Sequence, residues 1–119
     1  MLKKTISYVD FDDNKKTEDF YFNLTKAEVA EMEVSVNGGL SKMIQQIIKT
    51  EDKKEIVAIL KDVILRAYGE KTLDGKRFMK TKEIRESFAS TEAYSELFIS
   101  LANNSEMAAE FFNGIIPNN

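Results

Sequence analysis

The sequence predicts an α+β fold that is mostly helical, with an N-terminal β-hairpin followed by about five α-helices in one small domain. Three observations predict it. Residues 3–23 hold two short runs rich in β-branched and aromatic side chains around a polar turn. From Thr25 onward, apolar residues recur at spacings of three and four. The chain of 119 residues is long enough for one ordinary core and too short for two.

Residues 1–24 form the hairpin. Its strands centre on Thr5, Ile6, Ser7, Tyr8, Val9 and on Phe20, Tyr21, Phe22, and Asp12-Asp13-Asn14-Lys15-Lys16 between them has turn chemistry. Two strands alone are marginal in water, so a helix or another chain should cover one face. The open edges could also add strands from a second copy or from a client, which makes a homo-oligomer possible.

Residues 25–69 read as helices around a Gly38-Gly39 hinge. Thr25 and Glu28 have capping-box spacing, and Val29 with Met32 gives the helix they start a thin apolar stripe. Asn37-Gly38-Gly39 breaks it. Leu40, Met43, Ile44, Ile47 and Ile48 mark an amphipathic helix. Thr50, with Glu51 and Asp52 in the next turn, caps a helix over residues 52–68 that shows Ile56, Ile59, Leu60, Val63, Ile64, Ala67 and Tyr68 on one face. Val57 and Leu65 lie off that stripe, so this is the central helix, apolar on more than one side and packed between neighbours. Gly69 ends it.

In residues 70–79, Asp74-Gly75 is a tight-turn dipeptide, compatible with a short hairpin or a plain surface loop. Residues 80–119 hold the C-terminal helices and an apolar tail. Ile84 and Phe88 mark one helix. Ser90 or Thr91 caps the next, which carries Tyr94, Leu97, Phe98 and Leu101. Asn103 and Glu106 repeat the capping-box spacing before Met107, Ala108, Phe111 and Phe112, and Gly114 is the stop. Ile115-Ile116-Pro117 is unusual for a terminus unless it is docked.

Cys, His and Trp are absent, which removes the usual nucleophile, the near-neutral base and the two commonest transition-metal ligands. The acids are scattered over surface-like helical faces, with no pair set in apolar surroundings for acid/base work. We expect no enzyme and no cofactor. No stretch approaches the roughly 20 apolar residues that cross a bilayer, and Met1-Leu2-Lys3-Lys4 leads directly into a strand pattern, so no membrane partner and a cytosolic location are expected.

Charge is unevenly distributed. All 17 basic residues fall within 1–85, beside 15 acids, whereas 86–119 hold five acids and no base. A phosphate backbone is therefore a poor partner for the C-terminal segment, and a protein is the better one. The candidate partner-binding residues are Tyr94, Phe98, Phe111, Phe112, Ile115 and Ile116, in a groove between the central and C-terminal helices. The alternative for the four aromatic residues is plain core. The alternative function is a small nucleic-acid-binding regulator using the basic stretch 71–85, where Glu70, Asp74 and Glu83 interleave with Lys71, Lys76, Arg77, Lys80, Lys82 and Arg85.

The ordered series Tyr68-Gly69, Asp74-Gly75-Lys76-Arg77-Phe78, Lys80-Thr81, Phe88, Thr91, Ala93-Tyr94, Leu97-Phe98, Leu101 and Phe111 to Pro117 resembles the C-terminal half of tail assembly chaperones of long-tailed bacteriophages and prophages. The resemblance implies a small non-enzymatic helper in the cytoplasm of the infected or lysogenic bacterium, absent from the mature virion. It also implies two partners, the tape-measure protein and the tail-tube protein.

Overall fold

Chain order among the described residues, 1–35 and 39–117 of a computed structural model, is β1 (Leu2–Val9), β2 (Lys15–Phe22), α1 (Lys26–Ser35), α2 (Gly39–Lys49), α3 (Lys53–Ala67), β3 (Tyr68–Lys71), β4 (Phe78–Met79), α4 (Lys82–Ala89), α5 (Glu92–Ala102) and α6 (Ser105–Ile115). The predicted N-terminal hairpin and the predominance of helix are both present. Asn37 and Gly38 of the expected hinge lie outside the described residues; Gly39 opens α2 at φ +65°.

β1 and β2 pair antiparallel from Leu2↔Phe22 to Val9↔Lys15. Asp10 shapes the turn, its carboxylate accepting from the N–H groups of Asp12 and Asn14 at 2.9 Å each. The hairpin is not the lone pair of strands that the sequence suggested. β3 adds to β2 through Tyr21↔Gly69 and Phe22↔Tyr68, and β4 adds to β3, giving one sheet in the order β1-β2-β3-β4. Asp74-Gly75 therefore makes a hairpin, with Gly75 at φ +74° and Thr72 N–H donating to the Arg77 carbonyl at 2.9 Å. Helix prediction ran one residue too far here, because Tyr68 leaves α3 for the extended backbone that pairs with Phe22.

Alternation along the strands turns Ile6, Phe20 and Phe22 toward the helices. The Phe20 and Phe22 rings join one aromatic cluster. Tyr68 stacks on Phe88 with centroids 4.0 Å apart and planes 11° from parallel, and Phe22 meets Phe88 and Phe111 edge-on at 5.7 and 5.2 Å. α3 supplies Leu60, Val63, Ile64 and Ala67, α5 supplies Ala93, Leu97 and Leu101, and α6 supplies Ala108, Phe111, Phe112 and Ile115, all buried. No polar or charged residue is buried among the described residues.

The caps explain the helix boundaries. Thr25 and Glu28 form the expected reciprocal pair, Thr25 N–H donating to the carboxylate at 2.8 Å and Glu28 N–H to the hydroxyl at 3.1 Å. At α3 the cap is Asp52, not Thr50: Asp52 accepts from Lys54 N–H at 3.0 Å, while the Thr50 hydroxyl accepts from Asp52 N–H. At α6 it is Asn104, not Asn103, with bonds from Glu106 and Met107 N–H. Gly114 does not stop α6, which runs to Ile115. Its role is close packing, since a Cβ there would lie 3.0 Å from Leu2 Cδ1.

Candidate partner-binding groove

α5 is anchored at its start by Thr91, whose hydroxyl accepts from Tyr94 N–H at 3.2 Å. Ala93, Leu97 and Leu101 point into the core, which leaves Tyr94 and Phe98 half-buried along the helix flank and Ile99 54% exposed beyond them. Facing this flank is α3, where Val57 is 43% exposed because it stands off the buried stripe. Between the two helices, with Ala89 at the end of α4 closing one end, lies a groove of about 370 Å³ lined by Val57, Lys61, Ala89, Tyr94, Ser95, Phe98 and Ile99.

The wall is backed by the aromatic cluster. Phe98 lies 5.9 Å from Tyr94, and Tyr94 meets Phe88 edge-on at 5.7 Å. Burial raises the Tyr94 phenol pKa, so the ring stays neutral and presents a hydroxyl at ordinary pH. Lys61 is the one charged side chain of the lining; Glu92 and Glu96 stand exposed on α5. The arrangement offers an apolar strip with a cation on the α3 side and carboxylates on the other helix.

Of the six residues singled out from sequence, only Tyr94 and Phe98 line this groove. Phe111, Phe112 and Ile115 are core, at 1%, 0% and 0% exposure, so they cannot touch a partner while the fold is intact. Ile116 is half-buried against that core at the end of α6. The apolar tail is docked: Leu24 N–H donates to the Ile115 carbonyl at 2.9 Å, tying the end of α6 to the exit of the hairpin. Val57 and Ile99 were not recognised as lining residues. Their signal was apolar side chains lying off the main stripe of a well-formed helix.

The basic stretch is divided by the fold. Lys80 turns inward, its ammonium donating to the Asn23 carbonyl at 2.6 Å and to both Glu28 carboxylate oxygens at 2.8 Å. Arg85 donates to the Leu65 carbonyl at 3.2 Å. Lys82 sits 3.8 Å from Glu86 in an exposed pair, and Lys71, Lys76 and Arg77 belong to the β3–β4 hairpin. Nothing in this arrangement favours a nucleic-acid surface.

No helix among the described residues is long and apolar enough to cross a membrane. A family model described as phage tail assembly chaperone matches residues 1–119, the whole chain. No curated protein and no solved structure matches.

Proposed function

The chain belongs to the phage tail assembly chaperone family, and we propose that it acts by holding apolar helical segments of the tape-measure protein in the α3–α5 groove while tail-tube subunits are recruited around them. The observation that carries this reading is the groove itself. Val57, Tyr94, Phe98 and Ile99 line it as partly or largely exposed apolar side chains, beside a cluster that packs Phe20, Phe22, Tyr68, Phe88 and Phe111 together. A client with an apolar helix face would bury them, and burial of apolar area is the main favourable term in such an association. The groove is small enough for the affinity to stay modest, as a helper released during assembly requires.

In this reading the protein makes and breaks no bonds, works in the cytoplasm of the bacterial host and is left out of the finished particle. Tyr94 and Phe98 are the contact residues, joined by Val57 and Ile99, while Phe111, Phe112 and Ile115 support them from within. Ile116 adds a surface contact only if the client extends to the end of α6. The test is co-expression with the tape-measure protein of the same phage or prophage. The soluble fraction of that protein should rise with the chaperone present, and an unchanged fraction would overturn the reading.

A further inference from the structure

A second partner surface lies in the sheet, away from the groove. β2 and β3 pair only at Tyr21↔Gly69 and Phe22↔Tyr68, and beyond that neck they splay, leaving a cleft of about 350 Å³ lined by residues 18–21 and 68–71. Asn23 N–H donates to the Ala67 carbonyl at 2.8 Å, so the odd-numbered residues of β2 direct their backbone groups toward β3. Thr72 N–H bonding to the Arg77 carbonyl likewise turns the even residues of β3 to β4 and Lys71 toward β2. Past the neck, the N–H and C=O groups of Thr17 and Asp19 face the cleft, and neither residue is paired with β3 among the described residues.

The side chains specify what fits there. Tyr68 lies directly opposite Phe22, so Phe20, Tyr68, Glu18 and Glu70 share the helix-side face. Near the neck the half-buried Phe20 and Tyr68 rings, 6.4 Å apart and both packed on Phe88, offer an apolar edge to the cleft. Two residues farther along each strand, Glu18 and Glu70 continue the same face of the lining, diagonal to one another in the register. Both carboxylates, after burial, push the Tyr68 phenol above its ordinary pKa, which places their negative potential in the cleft. Glu18 also accepts a hydrogen bond from the Tyr8 hydroxyl, a contact that keeps the carboxylate in position.

We propose that this cleft takes an extended segment of a partner polypeptide as an added strand on β2, antiparallel to it. The segment would place an apolar side chain over Phe20 and Tyr68 and, two residues later, a Lys or Arg between Glu18 and Glu70. Backbone pairing gives the affinity and the apolar-x-basic pattern gives the specificity. The proposal does not depend on the groove.

The test is an amide NMR titration of the full chain with a synthetic hexapeptide carrying isoleucine first, lysine third and threonine elsewhere. Saturable shifts are expected at Thr17, Asp19 and Lys71, with at least ten-fold weaker binding when glutamate replaces the lysine. Thr17→Pro deletes an N–H that points away from β1, so it should abolish binding with the β1–β2 ladder intact, whereas Thr17→Val should retain binding. Absence of shifts at millimolar peptide, shifts located elsewhere, or binding indifferent to Thr17→Pro would each overturn the proposal. Shifts of the same amides on raising protein concentration alone would assign the edge to a second copy and overturn it too.

Discussion

Lys80 and Glu28, 52 residues apart in sequence, form a two-pronged ion pair at 2.8 Å that fastens the start of α1 to the strand exit before α4. Side-chain exposures of 13% and 33% make it more sheltered than the other ion pairs of the described residues. The same ammonium holds the Asn23 carbonyl, so one side chain joins hairpin, first helix and the β4–α4 connection. Lys80→Met should therefore cost more stability than Glu28→Gln, about 2–3 against about 1–2 kcal/mol in denaturant unfolding, because it strands two acceptors, whereas the glutamine amide oxygen can still accept from an ammonium that keeps the Asn23 carbonyl.

The pair also sets a pH dependence. Burial works against the Glu28 carboxylate, but hydrogen bonds from Lys80 and from Thr25 N–H hold it below the usual carboxylate range. A depressed folded-state pKa adds stability that is complete above the unfolded value of about 4.3 and is lost as pH falls through the lower folded one. The gap in unfolding free energy between the native protein and Glu28→Gln should shrink as pH drops below about 4.3. A constant gap down to the acid transition would contradict this.

Phe88 touches Tyr68, Phe20, Phe22 and Tyr94, and so joins the sheet to the groove wall. Phe88→Ala should lower unfolding free energy by about 3–5 kcal/mol, since the stacked and edge-on rings around it cannot all collapse into the space. Calorimetry or urea titration reads this directly.

Gly69 is required by close approach. A Cβ there would lie 2.7 Å from the Phe78 ring and 2.8 Å from the Met79 carbonyl oxygen. A backbone oxygen cannot swing aside as a side chain can, so Gly69→Ala should loosen the β3–β4 hairpin and cost about 1–3 kcal/mol. Faster amide exchange in residues 69–79 than in α5 would report it.

Charge placed in the two candidate regions should separate core from contact. Phe112→Asp puts an unpaired carboxylate at a fully buried position and should abolish folding by circular dichroism. Val57→Asp with Ile99→Asp, at exposed positions, should preserve helical content and stability while removing the rise in tape-measure solubility.

The fold was legible wherever one local signal decided it. The Thr25–Glu28 capping box and the helices α2, α3 and α5 appear where the apolar spacing put them, with Met43 and Ile47 of α2 buried and Ile48 left exposed. Two caps were displaced because neighbouring polar residues compete: Asp52 bears a stronger acceptor than Thr50, and Asn104 stands one residue after Asn103. The sheet was underestimated because β3 pairs with β2 over only two residue pairs, which leaves no alternating run to detect.

Of the candidate groove, Tyr94 and Phe98 were legible in the sequence. Helical spacing marks Tyr94, Phe98, Phe111 and Phe112 alike, yet only topology decides that α6 enters the core while the flank of α5 faces α3. The residues carrying the family resemblance are mostly structural. Gly69 admits Phe78, Lys80 binds Glu28, Thr81 and Thr91 cap helices, and Gly114 admits Leu2. Such motifs identify the fold better than they identify its contacts.

Site-specific photo-crosslinking tests the central claim most directly. With a photoreactive phenylalanine at Ile99 and, as a control, at Phe11 on the exposed hairpin turn, each chaperone would be irradiated together with the tape-measure protein. The account predicts a covalent adduct from position 99 and none from position 11. Adducts from position 11 alone, or none from either in a sample where the two proteins co-purify, would contradict it.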